Sequence, residues 1–253
     1  MKKETKRDRY VVESKMIDRY LDKIGTENAL YVDIGCGNLF NLSMEKIDAS
    51  KKTLFFDCNT EKMKFYERWG KPNFKAIDAM VTPNNVVELI KGNSNEEDFK
   101  FLDLDIDGYD FFVLKAILES IPPSIIVAEI NEKIPPPVEF TVKYNADYEW
   151  RGSHCFGMSI SKFYKLMNEF GYDIVRLNFN NVHAIRKDTN HGFETYSDVE
   201  AYDVGYKTPR LTGKAEHFYY NKDVDCMLTM SKDEIIDFFN EHFKQHSGSY
   251  EIE

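Results

Sequence analysis

The sequence predicts an α/β protein: a doubly wound, mostly parallel seven-stranded sheet that ends in an antiparallel terminal hairpin. Three observations predict it. Short apolar runs alternate with stretches of helical periodicity from residue 29 to residue 131. Those runs are apolar at consecutive positions, the mark of strands buried on both faces. The last two strand-like runs, at 172–187, meet around Asn180-Asn181, which suits a hairpin at a sheet edge.

The elements follow in order. Residues 8–24, DRYVVESKMIDRYLDKI, place Val12, Met16, Tyr20 and Ile24 at helical spacing with Ile17 and Leu21 beside them, an amphipathic helix. ALYVDIG (29–35) and TLFFDCN (53–59) read as strands, and TEKMKFYERWG (60–70) as a helix with Thr60 as N-cap and Gly70 past its end. NFKAIDAM (73–80) is a third strand, TPNNVVELIKG (82–92) a short helix, and FKFLDLDI (99–106) a fourth strand. The helix DFFVLKAILESI (110–121) and the strand SIIVAEIN (124–131) complete the alternation, which implies right-handed crossovers. Residues 132–158 form a long Pro- and aromatic-containing insertion, a length more often functional than incidental. The helix SISKFYKLMNEFG (159–171) and the two hairpin strands follow. Residues 189–230 are Tyr-rich and carry no clear period. SKDEIIDFFNEHFKQ (231–245) opens with a capping box, Ser231 and Glu234, and HSGSYEIE reads as a frayed tail. The domain reading is an N-terminal helix in 1–28, one domain in 29–188 interrupted at about 132–158, and an extension at 189–253 packed on the same domain.

Composition narrows the function classes. The 253 residues are 42% hydrophobic and 30% charged, enough for one large domain with a sizeable core. No apolar run reaches the roughly 18–20 residues of a membrane span, and no apolar segment follows the basic first residues as in a signal peptide. The four cysteines lie far apart, with no CxxC pair, which argues against a zinc ribbon or a disulfide framework and suits a reducing cytoplasm. A net charge of −10 with scattered Lys and Arg argues against a nucleic-acid substrate. Homo-oligomerisation is left open.

In an open parallel sheet, ligands sit at the carboxyl ends of the strands, where the strand order switches. Gly35 and Gly37 stand at the end of the first strand, where glycine permits positive φ and lets a ligand approach the backbone; a bare strand-to-helix turn is the alternative. A full GxGxxG is absent, since Phe40 stands three residues after Gly37. Asp57 ends the second strand, 22 residues after Gly35, and an acid about 20 residues past a glycine loop can accept both hydroxyls of a ribose. Asp78-Ala79-Met80 ends the third strand, where an adenine edge can be held.

These residues carry a resemblance. YVDIGCGN, Asp57 after LFF, and Asp78-Ala79 resemble the first three motifs of class I S-adenosylmethionine-dependent methyltransferases, whose E/DxGxG form appears here as Asp33-Ile34-Gly35-Cys36-Gly37. The resemblance spans about residues 29–187 and implies a Rossmann-like fold, S-adenosylmethionine as cofactor and a cofactor site of Asp33, Gly35, Cys36, Gly37, Asp57, Cys58, Asp78 and Ala79. It implies that Gly35 and Gly37 approach the methionine part, that Asp57 binds the ribose, and that Asp78 and Ala79 contact the adenine. FLDLDIDGYDFFVLKAI is similar to the fourth motif of the FkbM-type branch, with Asp105 and Gly108 matching and Asp107 where Glu is common.

Asp103, Asp105, Asp107 and Asp110 crowd the end of the fourth strand, and period two places the first three on one side if the strand continues. Like charges so close need relief. Three readings stand: a solvated loop with Asp107-Gly108 as a turn and Asp110 as N-cap; a general base at Asp105 or Asp107; or a divalent metal, Mg2+ by resemblance to some small-molecule O-methyltransferases, held by Asp105, Asp107, Glu129 and Asn131. His154, in RGSHCFG, is a base at the pocket mouth or an exposed loop histidine, and His183 is read as structural. His191 and His217 fall in unassigned sequence. Tyr144, Tyr148, Trp150 and Phe156 wall a substrate pocket or form the core under the insertion. The reading is a cytoplasmic enzyme that moves a methyl group to an oxygen, less readily a nitrogen, of a small-molecule acceptor. A nicotinamide-dependent oxidoreductase and a non-catalytic binding module are the rivals.

Overall fold

Consecutive apolar positions become strands buried on both faces. In the computed structural model, which describes residues 6–36, 51–69, 71–95, 98–214 and 220–253, β1 (Ala29–Ile34) is buried throughout and β2 (Lys52–Asp57) at all but its end residues. β3 (Phe74–Asp78), β4 (Asp98–Leu104) and β5 (Ile125–Glu129) are the other parallel strands. A short strand in the insertion, β6 (Phe140–Val142), lies outside the main sheet; β7 (Tyr172–Asn178) and β8 (Asn181–Arg186) close it. The seven-stranded order is β3-β2-β1-β4-β5-β8-β7, with β8 antiparallel to both neighbours. The order switches between β1 and β4, so the crevice that such sheets offer to ligands opens at the carboxyl ends of those two strands.

Side-chain alternation divides the core. Leu30, Val32 and Ile34 point to one face, with Val86 and Ile90 of α3 (Val86–Asn93), Val113 and Ile117 of α4 (Asp110–Ser120), and Phe163 of α5 (Ile160–Glu169). Ala29 and Tyr31 point to the other, where Ile17, Tyr20 and Leu21 of α1 (Lys6–Ile24) cover them. Met63 of α2 (Thr60–Trp69) packs beside Phe55 in a smaller cluster with Cys36. Burying a side chain such as Ile17 or Leu21 is worth about 1.5–3 kcal/mol, so docking of the apolar stripe holds α1 in place more firmly than its charged face can.

The chain after residue 189 adds to the same core. Ser197 and Glu200 form a capping box at the start of α6 (Asp198–Tyr202), which runs through one π turn (Asp203–Lys207) into α7 (Thr208–Leu211). Tyr202, Tyr206, Val224, Met227 and, from α8 (Lys232–His242), Phe239 join the cluster above α4 and α5. Ser231 and Glu234 form the expected capping box, with Ser231 N–H donating to Glu234 at 2.8 Å. The terminal residues differ from a frayed tail: β9 (Tyr250–Ile252) pairs antiparallel with β6, and Tyr250 is buried against Phe140 and Phe239. The hairpin turn is Phe179-Asn180, one residue earlier than the sequence suggests, because Asn178 pairs with Asn181 and Phe179 takes positive φ.

The insertion is a packed layer. Ile134, Val138, Phe140 and Met158 are fully buried. Glu132 and Lys133 are buried charges and pair at 3.3 Å, as burial demands. The Asn221 amide donates to Glu132 at 2.7 Å, and the Lys133 ammonium sits 4.2 Å from the Phe156 ring centroid. The four cysteines are all free. Among the described residues no helix is long and apolar enough to cross a membrane.

Candidate active site

The site grows from four strand ends lying side by side. Gly35, just past β1, has φ +83° and donates its N–H to Phe56 O at 2.9 Å. A Cβ on Gly35 would fall 1.7 Å from the Asp105 carbonyl oxygen. Asp105 N in turn donates to Ile34 O at 2.9 Å. The first glycine is therefore demanded by the close crossing of the β1 and β4 ends, a reason internal to the protein. Cys36 is buried, and its N–H reaches Phe56 O at 3.3 Å. Gly37 and Phe40 lie outside the described residues, as do Gly70 and His217.

Asp57 and Asp78 are register partners at the ends of β2 and β3, and Ala79 N donates to Asp57 O at 3.1 Å. Asp57 Oδ1 accepts from Asn59 N at 2.8 Å, which fixes the carboxylate at the entry to α2; that helix starts at Thr60, so Asn59 rather than Thr60 takes the cap position. Cys58 and Asp78 are exposed. Met80, beside them, is 51% exposed. Asp33 lies within β1 instead of at its end, buried and in register with Asp103 of β4.

The acidic run is not a continuous ladder. β4 ends at Leu104, and Asp107 takes φ +55°, so period two fails beyond that point. Asp105, Asp107 and Glu129 converge, with one carboxylate oxygen of each within 4.8 Å of the others; Asp103 is not in this group. Asp110 is the first residue of α4 rather than its N-cap. Its carboxylate folds back onto the loop and accepts from Ile106 N and Gly108 N, both at 2.9 Å, which holds the turn that presents Asp105 and Asp107.

Burial pushes the Asp105 carboxyl up to about 7, helped by the charges of Asp107 and Asp110, while a hydrogen bond with Glu129 acts the other way. Burial, then Asp105 and Asp107, holds Glu129 well above the usual carboxylate range. Burial raises Asp110 to about 6 against the pull of the backbone N–H groups of Ile106, Gly108 and Asp110 itself. The Asp105 and Glu129 carboxyls are each harder to ionise while the other carries a charge, so the two titrate as a pair.

The insertion covers the cluster. A Cβ on Gly108 would fall 2.9 Å from Cδ1 of the Tyr148 ring, and the Tyr148 hydroxyl donates to Cys155 O at 3.0 Å. Gly157 N donates to Gly108 O at 2.9 Å. Tyr144 stacks edge-on against Tyr109, Phe156 is buried, and Trp150 is 45% exposed. Asn131, fully buried, ties the insertion to β5: its Nδ2 donates to His154 O at 2.7 Å and Phe156 O at 3.0 Å. His154 is mostly buried, with Nε2 3.2 Å from Asp223 Oδ1 of the extension. Burial and then Lys133 lower its pKa, against Asp223. His183 is fully buried in β8, edge-on to Tyr20.

Sequence reading missed Asn180, whose Nδ2 donates to Glu129 Oε1 at 2.6 Å from the hairpin turn. It left open whether Tyr148 walls a pocket or packs as core, and it did not single out Tyr109, whose hydroxyl donates to Val81 O at 2.9 Å. Nothing in a single sequence links residues 129 and 180; only the β5–β8 pairing does.

A family model described as the methyltransferase FkbM domain matches residues 11–174. No curated protein matches the chain. Among solved structures, a SAM-dependent methyltransferase from Aquifex aeolicus is 12% identical, with 69% of this chain and 97% of that chain covered at a TM-score of 0.38. Magnesium protoporphyrin IX methyltransferase (ChlM) from Synechocystis PCC 6803 with bound SAH is 15% identical, with 70% and 84% covered at 0.41. StiE O-MT is 9% identical, with 96% and 85% covered at 0.38. The family match takes in well over half of the chain and every strand end that carries these acids, and the chain belongs to the FkbM family of class I, S-adenosylmethionine-dependent methyltransferases.

Proposed function

We propose that this methyltransferase acts on a hydroxyl oxygen of a small-molecule acceptor and that Asp105 is its general base. The observation that carries this reading is the Asp105–Glu129 carboxyl pair at the switch point, with Asp105 pushed up to about 7. A hydroxyl must lose its proton as it is methylated, and a base poised near the working pH takes it best. S-adenosylmethionine, when bound, supplies a methyl group made electrophilic by its sulfonium. Asp107 orients the acceptor hydroxyl from the same turn, and Asn180 holds Glu129. His154, kept neutral at pH 7 by its burial, is the second proton acceptor at the rim of the insertion.

The residues present fit the cofactor. Asp57 and Asp78 offer carboxylates at neighbouring strand ends to hydroxyl and amino donors, with Cys58 and Ala79 beside them and Met80 as an apolar face. Gly35 and Cys36 would take the methionine end, with Asp33 two residues before Gly35 in β1, and Gly37 joins them by its place in the motif. Asp57→Ala is expected to weaken S-adenosylhomocysteine binding about 10- to 100-fold by calorimetry, the worth of a charged hydrogen-bonding partner, with little change in melting temperature. Unchanged affinity would remove the ribose assignment.

A second reading gives the same oxygens to Mg2+. Asn131 Oδ1 is buried and takes no hydrogen bond, so it suits a fourth ligand beside Asp105, Asp107 and Glu129. Mg2+, when bound, would neutralise the carboxylates in place of a proton held on Asp105 or Glu129. A rise in melting temperature on replacing EDTA with magnesium supports that reading; no change leaves the proton. The function itself is tested with paired alcohol and amine acceptors and mass detection of the product. Methylation of the alcohols is expected. Faster methylation of the amines would overturn the oxygen assignment, and no turnover with either class would favour a binding module.

A further inference from the structure

At the sheet edge farthest from β3, the C-terminal extension touches β7 at two places. Tyr196 N donates to Ile174 O at 2.9 Å, and Phe179 N donates to Gly205 O at 3.2 Å. Gly205 is needed at the second contact, since a Cβ there would fall 2.3 Å from Leu177 O. Between the two contacts lies a cavity of about 210 Å³, several water volumes at about 30 Å³ each.

Arg176, Asn178 and Lys214 supply this cavity's side-chain N–H donors, and the Tyr196 hydroxyl in its wall already donates to Glu194 at 2.7 Å. Asn178 is 6% exposed, and its Nδ2 has no hydrogen-bond partner. Arg176 Nε is likewise buried without a partner. Lys214 stands at the exposed side, and no carboxylate is among the lining residues, in a chain of net charge −10. Buried N–H groups left unpaired are few in native proteins and call for an explanation. Charged oxygens are the acceptors that satisfy such a set best. Val175, Leu177 and Val204 make the rest of the wall apolar.

We propose that this cavity binds a small ligand with an anionic head, a phosphate monoester or a carboxylate, on an apolar body. It is a site apart from the acidic cluster, which would repel such a head. Asn178 is separated from Glu129 by β8, about 10 Å at the usual strand spacing. The head lies against Arg176, Asn178 and Lys214, and the body leaves past Val204, which is 66% exposed.

The test is calorimetric titration of the full chain with phenyl phosphate, phenylacetate and, as neutral control, benzyl alcohol. At least one anion is expected to bind tenfold or more tightly than the alcohol, and which one does so identifies the head group. Arg176→Gln and Asn178→Leu are each expected to weaken that anion at least tenfold. Val204→Trp, on an exposed rim position, is expected to block it while leaving S-adenosylhomocysteine binding unchanged. Equal affinity for anions and alcohol, or anion binding that survives both Arg176→Gln and Val204→Trp, would overturn the proposal. Should Asn178→Leu fail to fold, the other two variants decide.

Discussion

Gly35→Ala is expected to destabilise the protein by about 2–6 kcal/mol and to stop methyl transfer. Two costs add. A residue with a Cβ held at φ +83° is strained by about 1–3 kcal/mol. The new methyl group would sit 1.7 Å from the Asp105 carbonyl oxygen, which forces the ends of β1 and β4 apart; overpacking of this kind costs about 1–3 kcal/mol. The neighbour is backbone, bonded back to Ile34 O, so it cannot swing aside. For a domain of this size the loss corresponds to a melting temperature lower by about 4–24 °C. Catalysis suffers separately, because the residue pushed away carries the base. Gly108→Ala is the control. There the conflict is with the Tyr148 ring, a side chain that can turn, so a smaller loss is expected. Thermal unfolding of both variants decides: a Gly35→Ala protein melting within a degree or two of the parent would mean that the two strand ends do not approach so closely.

This glycine also shows how far the sequence could be read. Its position after a buried strand was legible, because apolar runs and punctuating glycines are local signals. Its reason was not. The pattern suggests an opening for a ligand, whereas the nearest atom belongs to residue 105, some 70 positions on. The same divide runs through the molecule. β1–β5, the hairpin and the Ser231–Glu234 cap are written in short-range pattern. β6 and β9 are three-residue strands that exist only because each supplies the other's partner, so the tail reads as frayed until the pairing is seen. The helices after Ser197 are too short for a hydrophobic period to show. Within the acidic run, alternation extends the strand too far, since the positive φ of Asp107 bends the chain and brings Glu129, from a separate strand, in place of Asp103.

The acids of this turn also have distinct tasks that spacing alone does not separate. Asp110 spends both oxygens on backbone N–H groups and so builds the turn. Asp105 and Glu129 face each other and take the burden of burial. A carboxylate satisfied by backbone donors is a poor base. One destabilised by its neighbours is a better base, and its cost falls on folding stability.

Asp105→Asn is expected to lower kcat by about 100- to 10,000-fold, the usual worth of a positioned general base, with S-adenosylhomocysteine affinity nearly unchanged. The pH dependence carries the sharper test. With Asp105 raised to about 7, the parent enzyme should gain rate as pH rises through that value, because only the deprotonated carboxyl accepts the acceptor's proton. The variant should lack that limb. Stability runs the opposite way. Between about 4 and 7 the folded protein keeps a proton on Asp105 that the unfolded chain has lost, so the unfolded state binds fewer protons and stability falls as pH rises across the window. Below the window both states are protonated, and above it both are ionised, so the slope vanishes. Asp110, raised to about 6, adds a slope of the same sign that ends earlier. Replacing Asp105 with a neutral amide removes its share, so the melting temperature of the variant should decline less than the parent's from pH 5 to pH 8. A purely structural Asp105 would leave kcat intact, and full turnover in the variant would end both the base and the metal roles for this residue. A rate limb that persists in a slow variant would move the base to Asp107 or His154.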